Sequence, residues 1–140
     1  MRNGWIGKML LAAGILAGAL LFTGCTVTRA LGEKMRDLEF SVTPQQEEPQ
    51  ELKDIIFQKG TSPFKLTYND EENLYIVVGY GQQRGGGYSI CVHELYLTEN
   101  AIVIDTELLG PEKGEGDGMA DTSPYIVVKT ENIDSPVVFQ

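Results

Sequence analysis

From residue 64 onward the chain is a succession of strand-length apolar segments punctuated by turn residues, and that rhythm restricts the fold more than anything else in it. "FKLTY" is closed by an acidic turn, "NDEEN". "LYIVVGY" is apolar at both parities, which suits a strand covered on both faces. In "YSICVHELYLT" the phase slips. Tyr88, Ile90 and Val92 alternate, then Leu95 and Leu97 continue on the other parity. A one-residue β-bulge near His93-Glu94 reconciles the two sets. "AIVIDTELL" follows a tight "TEN" turn, and "PYIVVKT" and "PVVF" come last. Their prolines, Pro124 and Pro136, stand at strand beginnings, where a missing N–H does little harm. Upstream, "DLEFSVT" places Leu38, Phe40 and Val42 at the period of a half-buried strand. "PQELKDIIFQKG" reads as a helix, with Pro49 at its start, Lys59 late and Gly60 as a stop. Leu52, Ile55 and Ile56 share one helical face and are expected to lie on the sheet. Together these segments predict a mainly β fold, an antiparallel β-sandwich or strongly curved sheet of about seven strands with one short helix.

The first residues follow a different logic. Arg2 and Lys8 precede a fourteen-residue apolar run, "MLLAAGILAGALLF", and then small residues before a thiol. This is the layout of a secretory leader. Phe22-Thr23-Gly24-Cys25 resembles a bacterial lipobox, whose peptidase cuts before a cysteine once its sulfur carries diacylglycerol. The resemblance implies lipidation at Cys25. An uncleaved anchor is the alternative, because residues 9 to 28 hold twenty uncharged positions, enough to span ~30 Å as a helix. Both readings put the remainder outside the cell, on the extracytoplasmic face of the membrane. The expected organisation is a signal peptide over 1–24, a polar tether over 25–36 with some helical character, and a β-domain over 37–140.

Charge narrows the partners. The whole chain carries −9, and because Arg2 and Lys8 lie in the leader, the rest has 9 basic and 20 acidic side chains, a net −11. Such a surface repels a phosphate backbone, so nucleic acid is excluded as a partner on these grounds. It also repels an anionic bilayer, so attachment has to come from the N-terminal anchor. Only two cysteines occur, and with Cys25 lipidated Cys91 has no partner for a disulfide. Cys91 lies in an apolar run and reads as a small hydrophobe with no cation near it in sequence.

One segment is more than a spacer. "GQQRGGGY" joins two apolar strands with glycines at 81, 85, 86 and 87. Glycines close a tight loop by allowing positive φ, but that leaves Gln82, Gln83 and Arg84 unexplained. Loops held on a rigid sheet are where binding residues concentrate. The run Gly81-Gln82-Gln83-Arg84-Gly85-Gly86-Gly87-Tyr88-Ser89-Ile90, with Pro124-Tyr125-Ile126-Val127-Val128-Lys129 after it, resembles the PrcB C-terminal domain family. The resemblance is best over residues 74 to 130. The family's namesake is a surface lipoprotein that accompanies a secreted subtilisin-like protease. The resemblance therefore implies a protein partner, an exported protease or its assembly, and contacts through Gln82, Gln83, Arg84, Gly85, Gly86, Gly87 and Tyr88. Where the family usually has Pro and then Thr or Ser before Gly-Gly-Tyr, this chain has Arg84 and Gly85. The tip thus gains a charge and loses a rigid residue, which bears on partner choice.

Enzyme chemistry finds little footing. His93 is the lone histidine, inside a strand, with no Gly-x-Ser-x-Gly and no metal-spaced His or Cys set. "GYGQQRGGG" is followed by a strand rather than a helix, which removes the logic of a dinucleotide site. Glu112, Glu115, Asp117 and Asp121 lie in the long loop "GPEKGEGDGMADTS" without a spacing that argues for Ca²⁺, and read as solvated acids. The sequence thus predicts no catalytic residue, no metal and no cofactor. The expected function is a lipid-anchored extracytoplasmic protein-binding module, with loops 81–87 and 110–123 as its contact surface. The alternative is a structural envelope lipoprotein with no protease link.

Overall fold

The computed structural model describes residues 31–140, so the leader, Cys25 and the first half of the expected tether lie outside the described residues. Its architecture follows from the doubly apolar run. Strand β4 (Asn73–Gly79) turns Leu74, Ile76 and Val78 to one side and Tyr75 and Val77 to the other, and all five are buried. Two layers must therefore cover it, and two do.

On one side stands a second sheet. One sheet has the order β2-β7-β4-β3, from Phe40–Val42, Tyr125–Glu131, Asn73–Gly79 and Phe64–Asn69. The other has the order β1-β5-β6-β8, from Lys34–Asp37, Ser89–Thr98, Ile102–Leu109 and Val137–Phe139. Leu74, Ile76, Val78, Ile126 and Val128 of the first pack against Leu95, Ile102 and Ile104 of the second. Each fully buried side chain of this size contributes about 1.5–3 kcal/mol. On the other side of β4 lies helix α1 (Gln50–Lys59), whose Leu52 and Ile56 meet Tyr75, Val77 and Val127. The helix stops at Gly60, whose φ of 60° a side chain would resist. Ile55 is only half-buried on this face, and Phe57 points to solvent.

The fold is thus the mainly β sandwich the sequence predicts, with helix α1 against its outer face. The bulge is also where the phase slip puts it: between Val92 and Glu94 the β5–β6 register jumps by one residue. That extra residue keeps Ile90, Val92, Leu95 and Leu97 all against the core.

Three details differ from expectation. The described residues form eight strands, because Lys34–Asp37 pairs with β5. The β-domain therefore begins before residue 37, and residues 34–36 belong to a sheet rather than to a tether. All four β1 residues are exposed, so no apolar parity marks them. Second, Leu38 is buried but Phe40 and Val42 are not. The chain crosses from one sheet to the other at Leu38-Glu39, and period-two alternation does not survive a change of sheet. Third, β8 runs parallel to β6, so the sandwich is not wholly antiparallel. β7 carries the chain back to the end where β6 starts, and a strand that returns from there into the β6 sheet has to run the same way.

Candidate functional site

The strand directions sort the loops into two poles. Lys34 pairs with Thr98, and the Thr98 hydroxyl donates to the Leu31 carbonyl, so the described chain begins beside the last residue of β5. The glycine loop precedes Ser89, the first residue of β5. The two places are separated by the length of a ten-residue strand, about 30 Å at the usual rise per residue. The loop between β6 and β7 (residues 110–124) lies at the same far pole as the glycine loop, because β6 and β7 both end or begin there.

These two loops are laced together. Gln83 and Thr122 form an isolated antiparallel bridge, with N–H···O distances of 2.7 and 3.1 Å. The Thr122 hydroxyl donates to the Gly85 carbonyl at 2.8 Å. Asp121 accepts from the Gly85 N–H at 3.1 Å and from the Gln82 amide at 3.3 Å. A third segment joins at Gly81, whose neighbour Gln82 donates its N–H to the Thr61 carbonyl at 2.9 Å. The loop is therefore not a slim projecting tip. It is pinned between the helix-to-β3 turn and the acidic loop.

That arrangement divides the residues singled out in sequence. Gly85 and Gly86 are buried, with Gly116 of the acidic loop against Gly85 and Met119 against Gly86. Gln83 is half-buried and engaged in the bridge, its side-chain amide donating to the Tyr80 carbonyl at 3.2 Å. Tyr88 is half-buried and its hydroxyl donates to the Arg84 carbonyl, also at 3.2 Å. Gln82, Arg84 and Gly87 remain exposed. The Arg84 guanidinium makes no ion pair among the described residues, so it is a free positive charge on a tied-down backbone.

The acidic loop is likewise occupied with itself. Glu115 accepts from the Glu112 N–H at 3.3 Å, and Asp121 holds the glycine loop. No group of three or more acidic, histidine or cysteine side chains among the described residues is arranged for a metal ion.

Two features were not legible beforehand. The first is Glu48, 6% exposed, whose carboxylate accepts the Tyr125 hydroxyl at 3.0 Å. Burial pushes the Glu48 carboxyl up from its ordinary range, opposed by the Tyr125 bond and the Lys53 charge. Burial, then the bond and charge of Glu48, push the Tyr125 phenol up to about 12. Glu48 lines a shallow groove of about 440 Å³ whose other wall includes Gly86, Gly87, Tyr88 and Met119. A Pro-flanked acidic run carries no periodic signal of burial, so only the Tyr125 contact reveals it.

The second is on the outer face of the β5–β6 pair. His93 lies with Nε2 2.5 Å from a Glu107 oxygen and Nδ1 3.9 Å from the Cys91 sulfur. Cys91 therefore has an imidazole beside it, from the residue two positions along its own strand. Cys91 and Glu107 are opposite each other in the ladder, and cross-strand pairing of this kind leaves no trace in spacing. None of the three lines the groove.

Residues 74–131 match the family model described as PrcB C-terminal. The PrcB C-terminal match runs from β4 to β7 and contains both interlocked loops. Helix α1, Glu48, β1–β3 and β8 lie outside it. The groove thus has one wall inside the PrcB C-terminal segment and Glu48 outside it. No curated protein and no solved structure matches the chain.

Proposed function

We propose that this chain is a lipid-anchored, extracytoplasmic protein-binding module without catalytic chemistry of its own, accessory to an exported protease. The observation that carries the reading is the position of the laced loops, at the pole opposite the point where the described chain begins. With Cys25 as the lipidated residue, the six residue steps to Leu31 reach at most ~20 Å. The sandwich then holds Gln82 and Arg84 on the side away from the membrane. Backbone hydrogen bonds to Thr61 and Thr122 order the loop in advance, which lowers the entropy lost on docking. The PrcB C-terminal match supports a protease-related partner.

Arg84→Glu tests the contact surface. It is expected to abolish capture of the cognate protein from detergent-solubilised envelope with an unchanged melting temperature, since Arg84 is exposed and makes no ion pair among the described residues. Unaltered capture would favour a purely structural envelope lipoprotein.

Attachment is tested separately. Cys25→Ala is expected to leave an unlipidated product that retains its leader, detected by mass spectrometry of the membrane fraction. A product of unaltered mass apart from the substitution would point to an uncleaved anchor.

A further inference from the structure

Glu48 has chemistry that the loops do not explain. An ionised carboxylate offers about four acceptor positions, yet Glu48 receives one donor among the described residues, the Tyr125 hydroxyl at 3.0 and 3.4 Å from its two oxygens. Lys53 acts on it through space without forming an ion pair. A buried carboxylate so thinly compensated is costly, and a cation seated against it offsets part of that cost. It also sits where such a cation could arrive. Glu48, Gln45, Ser123 and Tyr125 line both the groove beside the glycine loop and a second one, about 480 Å³, that runs along α1.

The two grooves are bordered by apolar side chains in solvent. Phe57 is 87% exposed beside the α1 groove, and Met119 is 57% exposed beside the other. One exposed apolar side chain is unremarkable. Two of them flanking one buried carboxylate, on a domain of net negative charge, describe a ligand: a positive side chain with apolar neighbours. Arginine suits the carboxylate better than lysine because its planar fork can donate two parallel bonds.

We propose that these two adjoining grooves receive an extended segment of a protein partner, seating one arginine against Glu48 while adjacent apolar residues rest on Phe57 and Met119. The inference rests on the protein-binding reading above and names what that site recognises. Glu48, Phe57 and Lys53 lie outside the PrcB C-terminal match, so that match does not by itself assign this preference.

The test uses the full chain in detergent micelles, isotope-labelled and titrated with acetyl-Leu-Arg-Leu-amide and with the same peptide carrying citrulline, which keeps the shape and loses the charge. The arginine peptide is expected to shift the amide resonances of Glu48, Phe57, Ser123 and Tyr125 saturably, and the citrulline peptide to bind about tenfold more weakly. Glu48→Gln, nearly isosteric and still able to accept from Tyr125, should erase that difference. Phe57→Ser, at an exposed position, should weaken both peptides without moving the melting temperature. Equal binding of the two peptides, shifts centred elsewhere, or no saturable shift overturns the proposal. Failure here with Arg84→Glu still abolishing partner capture removes the groove and leaves the docking reading standing. Success here with capture indifferent to Arg84→Glu removes the loop contact and leaves the groove.

Discussion

Gly116 lies against the backbone of Gly86 so closely that a Cβ on it would stand 2.2 Å from the Gly86 carbonyl oxygen. Gly116 also has a φ of +81°, a conformation that side chains resist. This contact lets the acidic loop lie flat on the glycine loop.

Gly116→Ala should therefore pry the two loops apart. The expected cost is about 1–3 kcal/mol in urea denaturation, with faster amide exchange at Gln83 and Thr122, which share the bridge. Gly110→Ala is the control, since a Cβ there meets nothing within 4 Å. It should change stability by less than about 0.5 kcal/mol. Equal effects at the two positions would mean that the loops are not interlocked in solution.

The bulge in β5 makes a second, less intuitive prediction. Val92 pairs with Thr106 and Glu94 with Asp105, so His93 is the extra residue between consecutive rungs. Deleting His93 leaves Ile90, Val92, Leu95 and Leu97 on one face of a regular strand. The deletion variant should fold cooperatively, with a loss of about 1 kcal/mol, read by thermal denaturation. Deleting Asp105 from the unbulged partner instead turns Thr106 and Leu108 away from the side that Ile104 occupies, and should unfold the protein. A His93 deletion as damaging as the Asp105 deletion would contradict the register.

The Tyr125–Glu48 pair governs the response to pH. Burial first, and then Glu48, raise the Tyr125 phenol from an ordinary 10.0 to about 12. A raised folded-state value favours the protonated form, so this stabilisation is complete below pH 10 and is lost as pH climbs through 12. Tyr68 and Tyr75 are also raised, so the informative quantity is the difference between wild type and Tyr125→Phe in alkaline denaturation. Glu48 obeys the same sign. Its carboxyl is raised by burial from 4.5, so the stability tied to its protonated form is present below pH 4.5 and is lost as pH rises through the raised value. Glu48→Gln should accordingly be at least as stable as wild type at neutral pH, with the gap closing in acid. A variant markedly weaker at neutral pH would show that the ionised carboxylate stabilises the fold.

What could be read from sequence was whatever burial imposes on parity. β4 shows it through apolar residues at every position, β5 through the slip at His93, and α1 through Leu52 and Ile56 beside a terminal Gly60. β1 escaped because Lys34–Asp37 buries nothing, and the direction of β8 escaped because it depends on where β7 deposits the chain. The candidate site was legible by address only. The glycine loop and the acidic loop were both singled out, but Gln82 and Asp121 are far apart in sequence and nothing periodic links them. Glu48 owes its character to Tyr125, and His93 owes its partner Glu107 to cross-strand pairing, which residue spacing does not encode; the Cys91–His93 neighbourhood, two residues apart on one strand, was within reach of the sequence.

The placing of Leu31 and the glycine loop at opposite ends of β5 acts as a standoff. Strands neither telescope nor bend over readily, so under the anchoring proposed above a copy of this chain would carry the loop about 30 Å, the length of β5, from the end where Leu31 lies. On that proposal a molecule lying flat on the bilayer would pass underneath, and one held at that distance would meet Arg84 and the groove first. Lengthening the segment before β1 would retune the height above the bilayer without altering a single contact residue.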